Sequence, residues 1–147
     1  AKELPDHLVI RTSTPYDFTR RSERFLNSAY ERRSRGEKVT AFSDTVRSPT
    51  LSSNLAQNLP ALLDSSQKGM LHLAGPTRIS MFDAARKIAE VFGFDPTFVQ
   101  GVKTGTAGNV PRPLDTSLDV SRAQKLGLNL ASFDEGLRIC RKNMSKK

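Results

Sequence analysis

The most regular hydrophobic pattern in the chain lies in Met70–Gly93. A short apolar run, Met70–Ala74, has strand character and ends at the turn signal Gly75-Pro76. Ser80 then stands where a helix N-cap belongs, with Asp83 three residues later, a near match to a capping box. Apolar residues follow at helical spacing, and the final glycine is a typical C-terminal stop: Met81, Ala84, Ala85, Ile88, Val91 and Phe92. The pattern predicts a strand, a tight loop and a capped helix, which together form a unit of an α/β sheet protein.

The first half of the chain continues this alternation of strands and helices. The apolar run His7–Thr12 is typical of a buried parallel strand, and Val39–Phe42 predicts a second, shorter one. Between them, Arg20–Arg35 has a helical pattern that ends at a glycine, and Asp44–Ser48 is predicted as a loop. The next helix is expected to carry Pro49 in its first turn and to kink or break near residue 59, because Pro60 lacks a backbone donor.

The second half closes with one further strand and two helices. Phe98–Val102 is the predicted strand, and Ser121–Leu126 and Ser132–Asn143 are the predicted helices. Ser132 is the expected N-cap of the last helix, with Glu135 completing its capping box. The fold class is therefore α/β.

Composition narrows the classes of protein that fit. The formal net charge is +8 and the sequence pI is about 10.1, which suits a solvated basic surface, an anionic small ligand or a nucleic acid. Nucleic acid is the least favoured partner, because aromatic residues make up 7% of the chain and tryptophan is absent. No apolar run approaches the length that a membrane helix needs, so no membrane partner is expected. One cysteine in 147 residues allows no internal disulfide and predicts a cytoplasmic protein.

Catalytic and metal-binding patterns are missing from the sequence. Neither a GxGxxG motif nor a P-loop occurs, so no dinucleotide or triphosphate cradle is predicted. His7 and His72 lie inside apolar strand runs and are expected to be buried, and Cys140 is expected in the core rather than as a nucleophile. These three residues are far apart in sequence, so no metal site is predicted.

Five motifs in a fixed order carry a resemblance to a known family. They are HLVIRTS from His7, SDTVRSPT from Ser43, MLHLAG from Met70, the helix capped by Ser80, and RPLDTSLD from Arg112. In this order the chain resembles the C-terminal half of extended short-chain dehydrogenases, specifically dTDP-4-dehydrorhamnose reductase and its relatives. The resemblance implies that residues 1–147 form a single unit: the last strands of a Rossmann-like sheet plus a small helical substrate-binding portion.

The same resemblance implies which parts of an NADPH-dependent sugar-nucleotide reductase are missing. In the family, the first half carries the glycine-rich NADPH loop and a Tyr-x-x-x-Lys pair, whose tyrosine protonates the C4 ketone oxygen as hydride arrives. Here Tyr16 and Tyr30 are followed four residues later by Arg20 and Ser34, so no such pair exists. The chain by itself is not expected to catalyse the reduction, and it contributes no catalytic residue.

Four residues are the predicted ligand contacts. Ser13 and Thr14 follow the first strand at its carboxyl end, where α/β sheets bind ligands, and are assigned to the cofactor; the family often has an aromatic residue where Thr14 stands. Arg112, held between two prolines, and Arg47 are assigned to the diphosphate of a nucleotide-diphosphate sugar, because a guanidinium donates two parallel hydrogen bonds. The alternatives are a structural Arg112 that caps a helix or pairs with a nearby aspartate, and a solvated Arg47.

Two functions of different classes therefore remain open. One is the substrate-side half of the reductase, with the missing N-terminal half or a partner chain supplying the NADPH site. The other is a regulatory subunit of the same fold, because these stretches are also similar to the beta subunit of methionine adenosyltransferase. An intact Tyr-x-x-x-Lys pair upstream would favour catalysis, and its loss would favour regulation.

Overall fold

The computed structural model describes residues 6–18, 23–106 and 113–145. Its strands are Leu8–Arg11 (β1), Pro15–Tyr16 (β2), Val39–Phe42 (β3), Val46–Arg47 (β4), Thr50–Leu51 (β5), Gly69–His72 (β6), Ile79–Ser80 (β7) and Val99–Val102 (β8). Its α-helices are Phe25–Ser34 (α1), Ser52–Leu63 (α2), Met81–Phe92 (α3), Ser121–Lys125 (α4) and Phe133–Met144 (α5), with 3-10 turns at Pro96–Phe98 and Thr104–Thr106.

The longer strands pair in parallel, as an α/β protein requires. Strand β1 pairs with β6 so that Leu8 lies opposite Gly69, and β3 pairs with β8 so that Val39 lies opposite Val99. The short strands β2 and β5 also pair in parallel, whereas β4 and β7 are antiparallel. The expected α/β class is therefore confirmed.

Helix α3 is the central packing element, and it forms as its sequence predicts. The Ser80 hydroxyl accepts a hydrogen bond from the Asp83 backbone N–H (3.0 Å), and Gly93 ends the helix at φ 76° in the left-handed region. The centre of the predicted apolar stripe is buried, with Ala84, Ala85 and Ile88 fully inaccessible. Ala84 and Ile88 pack in one cluster with residues of α5, whereas Ala85 packs with residues of β3 and β8.

The last helix likewise starts at its predicted cap. The Ser132 hydroxyl accepts from the Glu135 N–H, and the Glu135 carboxylate accepts from the Ser132 N–H, which completes the capping box. Phe133, Leu137 and Cys140 then face the core, so the expected burial of Cys140 is confirmed.

Several boundaries expected from the sequence were wrong in detail. The predicted loop Asp44–Ser48 contains strand β4, because Val46 and Arg47 pair with Ser80 and Ile79. Pro49 lies before helix α2 rather than in its first turn, because Thr50 and Leu51 first form β5. The helix also continues through Pro60 instead of breaking there. The proline is exposed, and so is Ala56, whose carbonyl loses its intrahelical donor and can hydrogen-bond water instead.

Helix α1 and the histidines also differ from expectation. The helix begins at Phe25 rather than Arg20, whose position lies outside the described residues. His7 and His72 are half-buried rather than buried, and His72 Nδ1 lies 3.0 Å from the Asp119 carbonyl oxygen. Arg33, unlike the two histidines, is buried, and its guanidinium lies 4.9 Å from the centre of the Phe98 ring.

Candidate functional site

A cleft of about 370 Å³ opens where the carboxyl end of β1 meets strands β3, β4 and β8 and the start of α3. Most of its wall is apolar, with three threonines and a single arginine. Its lining residues are Thr14, Phe25, Thr40, Ala41, Phe42, Thr45, Arg47, Met81 and Val102. An apolar cleft with a few placed polar groups is the usual form of a small-molecule site.

The structure brings two of the predicted ligand contacts, Thr14 and Arg47, to this one cleft. Thr14 lies three residues after the end of β1 and directly before β2, and its backbone has φ 44°, in the left-handed region that few non-glycine residues adopt. Ser13 is buried and does not line the cleft; its hydroxyl accepts from the Ser48 N–H at 3.4 Å. Thr14 therefore lines the cleft, whereas Ser13 lies buried behind it.

Arg47 lies on the wall of the cleft, in strand β4 rather than in the expected loop. The residue as a whole is half-buried. Its Nη1 donates to the Val46 carbonyl (2.8 Å), and both terminal nitrogens lie 3.4 Å from the Pro113 carbonyl oxygen. Among the ion pairs formed by the described part of the chain, none involves Arg47, so no carboxylate there neutralises its charge. A guanidinium with donors to spare at an apolar wall suits an anionic ligand.

Arg112, the remaining predicted ligand contact, lies outside the described residues. The chain that follows it is tied to β4: the Val46 N–H donates to the Leu114 carbonyl, and the Thr116 N–H donates to the Val46 carbonyl (3.1 Å). Asp115 is engaged by Arg78, whose Nε donates to it at 3.0 Å. Hydrogen bonds from Ser117 and then from Arg78 lower the pKa of Asp115 to about 2.

Asp119 supports the start of the short helix α4. Its carboxylate accepts from the Ser121 backbone N–H at 2.9 Å, and the hydrogen bonds from Ser121 lower its pKa. The carboxylate is therefore used to hold the beginning of this helix rather than a ligand in the cleft.

None of the cleft's described lining residues is an acid or base that titrates near neutral pH. Both tyrosines lie elsewhere: burial raises the pKa of Tyr16, which is 1% exposed in the core, and desolvation raises the pKa of Tyr30, which stacks on Phe18. Burial also raises the pKa of the Cys140 thiol to about 11. Among the described residues no group of side chains has the makings of a metal site, and no helix is long and apolar enough to cross a bilayer. The described lining of the cleft therefore contains three hydroxyl groups and one cation.

The sequence profile of the RmlD substrate binding domain matches residues 1–146. The chain belongs to this family. A probable low-salt glycan biosynthesis reductase of Haloferax volcanii is 30% identical over 104 residues, which are 69% of this chain and 35% of that protein. The dTDP-4-dehydrorhamnose reductase of Mycobacterium tuberculosis is 32% identical over 116 residues, covering 78% of this chain and 36% of its own length. The RmlD-family chain thus spans only about a third of these relatives.

Solved structures agree with this assignment. A hypothetical dTDP-4-dehydrorhamnose reductase from Sulfolobus tokodaii is 33% identical with a TM-score of 0.74, over 90% of this chain and 47% of that one. The Bacillus anthracis dTDP-4-dehydrorhamnose reductase, solved in complex with NADP, has a TM-score of 0.80 at 22% identity, over 92% of this chain and 48% of that one. This second likeness supports the fold alone.

A shorter match concerns the regulatory alternative. The beta subunit of methionine adenosyltransferase 2 from Xenopus laevis is 28% identical over 76 residues, which are 51% of this RmlD-family chain and 23% of that subunit. The reductase relatives match over a larger share of the chain, so this alternative is not the better supported one.

Sequence reasoning missed most of the cleft's walls. Phe25, Phe42 and Met81 line it, although the sequence pattern assigns each of them only to a helix or strand. Thr40 and Phe42 lie two residues apart on β3 and therefore share a face of the strand, so the sequence did indicate that these two residues lie together. No comparable signal existed for Phe25, whose distance in sequence from the other walls hides its proximity.

Proposed function

We propose that residues 1–147 form, as a single unit, the substrate-binding side of an NADPH-dependent sugar-nucleotide reductase of the dTDP-4-dehydrorhamnose reductase type. The observation that carries the proposal is Arg47, half-buried beside Thr14 at the wall of an otherwise apolar cleft. The guanidinium would hold the diphosphate, and the apolar wall would accept the less polar faces of the sugar or base.

Arg112 is proposed as a second contact to the diphosphate. This assignment rests on the sequence alone, in which Arg112 stands between Pro111 and Pro113, three residues before Asp115. The two prolines restrict the backbone on either side, so less entropy is lost when the arginine is ordered on a ligand. The assignment of Arg47 does not depend on it.

This part of the protein supplies only some of the groups that an NADPH site needs. Thr14 stands at the carboxyl end of β1 and offers a hydroxyl, and Ser13 is proposed as a second contact through its backbone or hydroxyl. The described residues that line the cleft include one cation and no glycine-rich turn that would cradle a pyrophosphate. When bound, NADPH supplies the hydride for the C4 carbon of the sugar. Most of its binding site is therefore proposed to come from an N-terminal half or a partner chain.

The pairing of β1 with β6 supports the proposal that a separate half of the protein binds the cofactor. Among the described residues, β1 pairs with β6 alone, and a two-stranded sheet is marginally stable by itself. Val9 and its register partner Met70 share one face, on which Met70 is 53% exposed. We propose that the cofactor-binding half adds a strand to the other edge of β1 and covers this face.

The cytoplasmic location expected from the single cysteine also remains a prediction.

Binding of dTDP-rhamnose, the reduced sugar nucleotide, tests the proposal by calorimetry. Arg47→Ala should weaken binding about ten- to a hundredfold, because a hydrogen bond to a charged group contributes roughly 1.5–3 kcal/mol. Arg47→Lys should recover part of the loss, because it keeps the charge but loses the fork. In the full-length parent, which includes the N-terminal half, Arg112→Ala should weaken binding of the same ligand while leaving NADPH binding nearly unchanged.

Arg86→Ala is the matched control. Arg86 is an exposed arginine of α3 that pairs with Glu90 (3.7 Å) and does not line the cleft, so this variant makes the same charge change elsewhere. Equal affinities for Arg47→Ala, Arg86→Ala and the unmodified protein would contradict the proposed site. In the full-length parent, the regulatory function would instead give binding of a catalytic partner chain and no sugar-dependent oxidation of NADPH, whereas the reductase function would give that oxidation.

A further inference from the structure

The backbone of Thr14 is held in a conformation that its own chemistry disfavours. Its φ of 44° is positive, and a β-branched residue rarely adopts such a value. Pro15 follows it, and a proline further restricts the residue before it toward extended conformations. Since Thr14 lies on the cleft wall, the contacts that impose this conformation also set the shape of the cleft.

Thr50 fixes the peptide groups on both sides of Thr14. Its hydroxyl donates to the Ser13 carbonyl at 2.6 Å, nearer than the Ser48 carbonyl at 3.1 Å, and its backbone N–H donates to the Thr14 carbonyl at 3.2 Å. The Ser13 carbonyl belongs to the peptide plane that precedes the Thr14 Cα, and the Thr14 carbonyl belongs to the plane that follows it. These two planes define the backbone dihedral angles of Thr14. One residue therefore determines the conformation of another that is distant in sequence.

Thr50 is itself firmly anchored. It is 3% exposed, and its hydroxyl oxygen accepts a hydrogen bond from the Gly75 N–H at 3.2 Å. Only glycine fits at position 75 in this packing, because a Cβ there would lie 2.0 Å from the Pro49 carbonyl oxygen. Thr50 also follows Arg47 by three residues, so the same segment carries one cleft residue and holds another.

We propose that Thr50 is a positioning residue for the ligand cleft, holding Thr14 in its left-handed conformation so that Thr14 and Arg47 face the same ligand. The inference rests on the proposed function, because it assigns Thr50 a part in binding the sugar nucleotide without touching it.

Three variants test the proposal. Thr50→Val keeps the shape and the backbone N–H but removes the hydroxyl, and Thr50→Ser keeps the hydroxyl. Ser132→Ala is the matched control, because it removes a hydroxyl that caps α5 and lines no part of the cleft. Each protein is studied well below its melting temperature, by calorimetry with dTDP-rhamnose and by the Cα and Cβ chemical shifts of Thr14, which report its backbone conformation.

We expect Thr50→Val to weaken dTDP-rhamnose binding about tenfold or more and to shift the Thr14 signals toward an extended conformation. Thr50→Ser should keep both near their original values, and Ser132→Ala should lower the melting temperature alone. Unchanged affinity in folded Thr50→Val would overturn the proposal and leave Thr50 a structural residue.

Absence of binding by the unmodified protein is a separate outcome, which contradicts the proposed function. In that case the chemical shifts still decide the contact: Thr14 signals that stay in place in Thr50→Val refute the control of Thr14 by Thr50. Signals that move support that control independently of any ligand.

Discussion

The buried hydroxyl of Tyr16 gives a prediction whose magnitude follows from the packing. Tyr16 is 1% exposed, and its hydroxyl has no hydrogen-bond partner among the described residues. An unpaired buried polar group costs about 1–3 kcal/mol, so Tyr16→Phe should raise the free energy of unfolding by an amount in this range. The same hydroxyl explains Gly136 in α5, because a Cβ at that position would lie 1.9 Å from it.

The two positions should therefore be strongly coupled. Gly136→Ala alone gains about 1 kcal/mol of helix propensity but forces the Tyr16 side chain to move, and overpacking a core costs about 1–3 kcal/mol. In the Tyr16→Phe background the oxygen is gone, and the nearest remaining atom would be the ring Cζ at 3.1 Å, a tight contact that the ring must relieve by a small shift. Gly136→Ala should then be much less destabilising than it is with Tyr16 in place.

Urea denaturation of the four proteins in this cycle measures the coupling directly. We expect an interaction free energy of about 1–3 kcal/mol, well above the roughly 0.5 kcal/mol of independent sites. Additive effects of the two substitutions, or a destabilising Tyr16→Phe, would refute the reasoning. The second result would mean that the hydroxyl is satisfied in solution by a group such as water.

Three further predictions concern stability, pH and activity. Ile88→Ala should lower the free energy of unfolding by about 2–5 kcal/mol in urea denaturation, because Ile88 is fully buried, and a smaller loss would mean that the site collapses around the missing atoms. Asp115 has its pKa lowered from 3.8 to about 2, so its stabilising contribution is complete above the unfolded value and disappears as the pH falls through the folded one. The stability difference between the unmodified protein and Asp115→Asn should accordingly shrink from about pH 5 to about pH 2, and a constant difference would contradict the assigned pKa. Residues 1–147 alone should not oxidise NADPH when dTDP-4-dehydrorhamnose is supplied, since the cleft's described lining has no acid that titrates near neutral pH, and turnover that depends on the sugar would show that a catalytic pair was overlooked.

Much of the local structure was determined by the sequence, because its signals act over a few residues. The Ser80 and Ser132 caps, the glycine that ends α3, and the stripe containing Ile88 all appear where the spacing predicted them. A cap needs only one hydroxyl and a backbone N–H three residues away, so its geometry is complete within one helical turn. The family resemblance likewise followed from the order of short motifs, and the RmlD profile match confirms it.

Helix α2 illustrates what local patterns miss. Leu59 and Leu63 of this helix are exposed although leucine is usually buried, whereas the polar Asn54 and Asn58 are buried. Both asparagines donate to the Asn129 carbonyl, at 3.0 and 2.9 Å. Their partner lies more than seventy residues away, so no window of the sequence contains both halves of the interaction. A buried polar side chain depends on such a partner for its stability.

The candidate site depends on tertiary structure in the same way. The sequence placed Thr14 at the end of a strand and Arg47 in a loop, and only the pairing of β4 with β7 puts Arg47 on the cleft wall. The left-handed backbone of Thr14 runs against its own preference and that of the following proline, so local propensity predicts the opposite conformation. It persists because Thr50 bonds the peptides on either side of it. Contacts between residues far apart in the chain override local preference there, which is why the shape of the cleft was decided only by the folded structure.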